Sequence, residues 1–258
     1  MNLFGLIGYL YTIVFYQPLL NALILLYDYF PGRDFGIAII SLTVIIRLLL
    51  YPLLAESIRV QKVTNDLQPK IKEIQEKYKN DKEQQAALQL KLLKDNNVNI
   101  FNGFFVTLIQ LPILIALYRV FIHGLQASAS GQLYSFVANP GVVNPMFLNL
   151  IDLSKPSPLM VLAAGALQFF QSKMFYPAKA AGMGLQSDSA QVTMQKQFLY
   201  VLPVMTVLIF WKFPAALSLY WVVTSICAII QQKIIFKNLA QKSAKPGQPV
   251  LGEDPENK

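Results

Sequence analysis

Four stretches of about twenty apolar residues, each carrying a single charge, leave this chain very few folds. They lie at 35–55 with Arg47, 101–123 with Arg119, 158–176 with Lys173 and 213–236 with Lys233. A bilayer core takes about 20 mainly apolar residues as helix, so each reads as a membrane span. A fifth run, 197–211, is shorter. Lys212-Phe213-Pro214 interrupts what would otherwise be one overlong stretch. A proline restricts the residue before it to extended backbone, so a tight hairpin between a fourth and a fifth span fits best. Only 14% of the residues are charged, against about 25% in soluble domains. A net charge of +8 would suggest nucleic acid in a polar chain, but mean hydropathy is +0.43, so no specific nucleic-acid recognition is expected. One cysteine, Cys227, and one histidine, His123, leave no internal disulfide and no His-rich metal site.

Lys and Arg are enriched in cytoplasmic loops, which orients the spans. Segment 56–100 holds nine of them, including Arg59, Lys62, Lys70 and Lys94, whereas 124–157 holds only Lys155. The first segment is therefore read as cytoplasmic and the second as external. Lys179 and Lys196 fall in an inner loop at 177–196, and Lys237, Lys242 and Lys245 in a cytoplasmic tail at 237–258, read as disordered from its Gln, Pro and Lys content. The N-terminus is then outside. In 56–100, Leu67, Ile71, Ile74 and Tyr78 repeat at helical spacing. Leu88 and Leu92 do so after a break at Asn80-Asp81, where Asn80 and Glu83 suggest a capping box. The segment reads as a helical hairpin, and its nine basic and seven acidic residues suit a solvated pair of helices. The apolar segment 1–34 lacks the basic start and cleavage site of a secretory signal. Pro18 interrupts it, and Gln17, Asn21 and Asp28 form a narrow polar stripe, so we read a helix lying in the outer interface rather than a sixth span. Pro31-Gly32 turns the chain into the first crossing. The expected fold is an all-α polytopic membrane protein: five transmembrane helices, a cytoplasmic helical hairpin and an interfacial N-terminal helix.

Chemical motifs are few. There is no phosphate-binding Gly-x-x-x-x-Gly-Lys loop, no His-Glu-x-x-His and no aspartate within a span, so ATP-driven work and intramembrane proteolysis are not expected. No cofactor is implied, and the chain does not read as an enzyme. His123, beside Gly124 at the end of its span, reads as an interfacial histidine. Arg47 is the conspicuous residue. It lies about seven residues, or roughly 10 Å, from the expected cytoplasmic end of its helix, with no acid in any span to pair with it. Intramembrane charges face a bundle interior or a wet cavity, because placing one at the bilayer centre costs about 2.5–3.5 kcal/mol. Arg119 and Lys173, near the ends of their spans, read as interfacial anchors. Thr43, Gly36 and Ile40 continue the Arg47 face. Asn102, Thr107 and Gln110 cluster on the second span, and Ser218, Trp221 and Ser225 share a face of the fifth with Gln232 beyond. Together these suggest a polar groove open to the cytoplasm.

These residues sit in stretches that resemble the YidC/Oxa/Alb family of membrane protein insertases. They are Ile45-Ile46-Arg47-Leu48-Leu49-Leu50-Tyr51-Pro52, Leu67-Gln68-Pro69-Lys70, Leu108-Ile109-Gln110-Leu111-Pro112, and Phe213-Pro214-Ala215-Ala216-Leu217-Ser218-Leu219-Tyr220-Trp221 with Ile229-Ile230-Gln231-Gln232. The resemblance covers about residues 17–237. It implies the five-span core, a bacterial inner-membrane location, nascent membrane proteins as substrates, and the translating ribosome and a Sec translocon as partners beside the lipid bilayer. It also implies Arg47 as the groove arginine, Gln110 and Trp221 along the groove, Met194-Gln195-Lys196 in a cytoplasmic loop, and a form without the large extracytoplasmic domain. Ala216 replaces a frequent glycine, and Lys212 is an unusual charge. Lys242, Lys245 and Lys258 are balanced by Glu253, Asp254 and Glu256, so a weak tail contribution to ribosome binding is expected. The competing reading of the residues is a small transporter or channel subunit with Arg47 as an anion site. A third is a chaperone that binds spans without moving them.

Overall fold

A computed structural model describes residues 3–99, 101–123, 132–175 and 190–243. Apolar helices dominate it. The chain opens with a continuous rod: α1 (Leu3–Tyr11), a π-helical turn (Thr12–Tyr16) and α2 (Gln17–Tyr29). Pro18, expected to break the run, is absorbed at the start of α2, directly after the wider turn, where the Gln17 N–H bonds back to the Thr12 carbonyl. A proline in the first helical turn forfeits no intrahelical bond. Gly5–Tyr29 is long and apolar enough to cross a membrane. It packs on the helices at Phe35–Leu49 and Phe101–His123, and its polar residues meet the loop that follows the second of these. Asn21 donates to the Gln17 and Gln132 carbonyls at 2.7 and 3.1 Å and accepts from the Tyr134 N–H at 2.7 Å, and Tyr27 Oη accepts from the Asn144 N–H at 3.0 Å. Asp28 pairs with Arg33 at 3.2 Å. Protein loops thus take up the stripe that the sequence suggested would face water.

Next comes α3 (Phe35–Leu49), capped by Asp34, whose two carboxylate oxygens accept from the Ile37 and Leu148 N–H groups. The first expected span, 35–55, is not one straight helix. The chain bends by 68° at Leu50 into α4 (Tyr51–Asp66). Pro52 explains the break, since its ring would clash with the carbonyl four residues back in a continuous helix. The straight portion has 15 residues, about 22 Å.

After α4 come α5 (Gln68–Lys77) and α6 (Lys82–Asp95), which pack together. Val60, Val63, Leu67, Ile71 and Val98 form a small core at the base of this unit. The expected Asn80–Glu83 capping box is replaced by Asp81, which accepts from the Gln84 N–H at 2.9 Å. The cap lies one residue later because α6 begins at Lys82. α6 buries no residue fully, but Leu92 packs half-buried against this small core.

The long helix α7 (Phe101–His123) leads to a loop carrying a two-residue antiparallel ribbon, β1 (Met146–Phe147) with β2 (Ile151–Asp152), which the all-α reading did not include. Leu148 and Asn149, both at positive φ, make its turn. Three helices complete the chain: α8 (Pro158–Phe175), α9 (Ala190–Phe210) and α10 (Ala215–Ser243). Two boundaries differ from expectation. Residues 190–196, placed in an inner loop, form the first turns of α9, so Met194-Gln195-Lys196 is helical; and α10 runs to Ser243, past the expected start of a disordered tail. Gln, Met, Lys, Leu and Ala are good helix formers whether or not the segment is apolar. Hydropathy locates lipid-compatible segments rather than helix ends.

The half-buried α10 packs on α8, α3, α4 and α7. Its first N–H groups, which have no partner within the helix, are taken by the loop before α8: Ala215 donates to the Lys155 carbonyl at 2.9 Å and Ala216 to that of Leu153 at 3.0 Å. Glycine sets two close approaches. A Cβ at Gly36 would lie 2.1 Å from the Phe147 ring, and one at Gly165 would lie 2.4 Å from Val207, where α8 meets α9.

Candidate functional site

Arg47 lies in the last turn of α3, because the helix ends at Leu49 rather than continuing to 55. This corrects the depth argument. A cation beside the free carbonyls of a helix C-terminus gains roughly 0.3–1 kcal/mol from the helix dipole, so part of its burial cost is offset locally. Arg47 is half-buried, and among the described residues no carboxylate pairs with it. Tyr220 and Cys227 of α10 are the ionisable groups within electrostatic reach of its guanidinium. Seven residues apart, they lie on one face of α10.

Tyr220 is the junction. Its buried phenol accepts a hydrogen bond from the Gln110 side-chain amide of α7 and is also the electrostatic neighbour of Arg47. One hydroxyl therefore bonds α7 to α10 and lies within electrostatic reach of Arg47 on α3. Thr43, one turn before Arg47, is buried and donates to the Ile39 carbonyl of its own helix at 2.7 Å. It has no need of a substrate or water to satisfy its hydroxyl. For Thr107 and Asn102 only the backbone is described, within α7.

Ser218 and Ser225 are buried on a different face of α10 from Tyr220. At about 100° per residue they lie about 140–160° round the axis from Tyr220. They form a second seam with Gln232, all three at seven-residue spacing and at most 1% exposed. The Ser218 hydroxyl and the Gln232 amide find no hydrogen-bond partner among the described residues. A buried polar group without a partner costs about 1–3 kcal/mol, so this seam offers hydrogen bonds to any small polar molecule that enters. Trp221 lies between the two faces. Its Nε1–H donates to the Gln168 side-chain oxygen of α8 at 3.1 Å, and its ring meets Phe210 edge-on at 5.3 Å. The site residues thus divide into an Arg47–Tyr220–Gln110 junction and a Ser218–Ser225–Gln232 seam.

The sequence reading missed two members. Tyr220 was legible only within the motif, and a tyrosine in an apolar run is most simply core. Gln168, one of few amides in its span, carried a signal of the kind that singled out Gln110. Among the described residues no group of three His, Cys, Asp or Glu side chains could hold a metal ion.

Comparison with known proteins places this geometry in context. The family model described as 60Kd inner membrane protein matches residues 25–242. A protein of Fusobacterium nucleatum named membrane protein insertase YidC is 34% identical over 206 residues, 79% of this chain and 87% of that protein. One of the same name from Clostridium tetani is 34% identical over 212 residues, 82% and 86% of the two chains. Another so named, from Geobacter metallireducens, is 32% identical over 231 residues, covering 89% of this chain but only 38% of the relative. The chain therefore spans well under half the length of some relatives and most of the length of others.

Proposed function

The chain belongs to the 60Kd inner membrane protein family, and from that premise we propose that it is a membrane protein insertase working through the Arg47 junction. An insertase must carry a short polar segment of a nascent protein across hydrocarbon while the apolar segment enters lipid. Two unit charges about 6 Å apart at an effective dielectric near 20 attract by roughly 3 kcal/mol. Arg47 draws an acidic substrate tail inward with that energy, which is also small enough to release it. Partition of about 20 apolar residues into lipid then drives the step forward without ATP.

The observation that carries this reading is the half-buried Arg47 with no carboxylate partner among the described residues, held beside Tyr220 and Gln110. In this proposal α3, α7, α8, α9 and α10 are five spans with the N-terminus outside. The loop of one lysine between α7 and α8 is external and the basic α4–α6 unit cytoplasmic. Contacts of α2 with Gln132, Tyr134 and Asn144 support a rod lying along the outer surface. Thr43, Thr107, Ser218, Trp221 and Ser225 complete the groove, and a ribosome and a Sec translocon are the partners of the cycle. Site-specific crosslinking from position 110 or 221 to ribosome-bound nascent chains tests it. Crosslinks to a substrate tail are expected, and their complete absence from both positions would overturn the groove.

A further inference from the structure

Arg119 is the second arginine of the apolar helices and, unlike Arg47, is exposed. It lies one turn before the end of α7, and its neighbour Tyr118 packs edge-on against Phe213 in the turn between α9 and α10 at 5.2 Å. That contact sets its level at the end of the bundle remote from the basic α4–α6 unit. The guanidinium carbon is 5.8 Å from the centre of the Tyr11 ring and 5.5 Å from that of Tyr16. The π-helical turn between the two tyrosines builds this clasp. Residues five apart point about 140° away from each other in a regular α-helix, whereas a turn closed by i→i+5 bonds lets them stack on one side. No carboxylate pairs with Arg119 among the described residues. Leu10, Val14, Leu111 and Ile115, nearby on the same helices, are exposed and apolar.

We propose that Arg119, held between Tyr11 and Tyr16, seats the phosphate of a phospholipid in the leaflet remote from the basic hairpin. The two rings fix the guanidinium fork by cation–π contact. A fork whose rotamers are already restricted gives up less entropy on binding a phosphate through two N–H donors. The exposed apolar side chains supply the surface for the acyl chains. The lipid thereby joins the N-terminal rod to α7 at a point where no acid among the described residues pairs with the arginine. This site is independent of the Arg47 junction.

The test titrates the full chain, purified in detergent and stripped of lipid, with dioctanoyl phosphatidylglycerol while native mass spectrometry counts the lipid retained. Wild type is expected to retain one molecule that Arg119→Gln binds about tenfold more weakly, the weight of one charge-assisted contact. Arg119→Lys should fall between them. A Tyr11→Leu, Tyr16→Leu variant, which keeps the cation, should also bind less. Equal retention by wild type and Arg119→Gln overturns the proposal. So does displacement of the lipid by equimolar inorganic phosphate or by an acidic peptide, which would make this a general anion site or a substrate site. If Arg119→Gln does not fold, wild type decides alone: it must retain phosphatidylglycerol in preference to dioctanoylglycerol, which has no phosphate, and equal retention of the two rejects the seat.

Discussion

Tyr220 has the largest share in holding the junction together, because its hydroxyl bonds α7 to α10 within electrostatic reach of Arg47. Tyr220→Phe removes the acceptor of the Gln110 amide without changing packing volume. It should lower thermal stability by about 1 kcal/mol and reduce insertion while leaving lipid binding unchanged. Retained insertion with the same loss of stability would restrict Tyr220 to a structural part. Gln168→Leu strands the Trp221 Nε1–H in the core, at a cost of about 1–3 kcal/mol. Its expected signature is a shift of tryptophan emission, and Gln168→Glu, which keeps an acceptor, should restore it. Arg47 could be read directly from the sequence, since a lone charge in an apolar span is conspicuous. Tyr220 and Gln168 could not, because an aromatic or an amide in a span becomes informative only when its partner is known.

At the scale of elements, glycine contacts and loop caps decide how the helices meet. Gly165→Val pushes α8 away from α9 at Val207, and overpacking of this kind costs about 1–3 kcal/mol. Adding Val207→Ala should recover most of that loss in a melting experiment, whereas an additive effect of the two changes would contradict the close approach. Asp152 organises the loop before α8. Its carboxylate accepts from the Ser154 hydroxyl and pairs with Lys155, and these contacts, the Ser154 hydroxyl foremost, hold its pKa below the ordinary 3.8. A depressed carboxylate pKa contributes stability that is complete above 3.8 and lost as pH falls through the lower folded-state value. The hydrogen-exchange protection of the Ala215 and Ala216 amides, which bond the same loop, relative to unstructured amides at the same pH, should therefore fall only in that acid range. The long apolar runs made the helices legible from the sequence. The bend at Leu50, the helical start of α9 before its apolar part and the true cap at Asp81 were less so. Each depends on backbone hydrogen bonding, which hydropathy does not weigh, and the inward turn of the Asn21 stripe depends on a loop more than a hundred residues away.

For the whole molecule, the net charge of +8 is distributed rather than pooled. The α4–α6 unit carries nine basic and seven acidic residues, and two exceptional cations sit in the apolar body, Arg47 near one end of α3 and Arg119 near the other end of α7. In this account the first receives substrate and the second lipid, so a change at one should leave the other's readout intact. Family membership, the helical bundle and α10 frame that division, and the charge of Arg47 is its central claim. The most direct measurement is insertion of a single-span substrate with an acidic N-terminal tail into liposomes containing the purified chain, scored by protease protection of the tail. Arg47→Glu should abolish tail translocation and Arg47→Lys should retain it, while a substrate whose tail acids are replaced by amides should lose most of its dependence on Arg47. Wild-type insertion of the acidic tail by Arg47→Glu would leave the Arg47 charge no part in tail translocation.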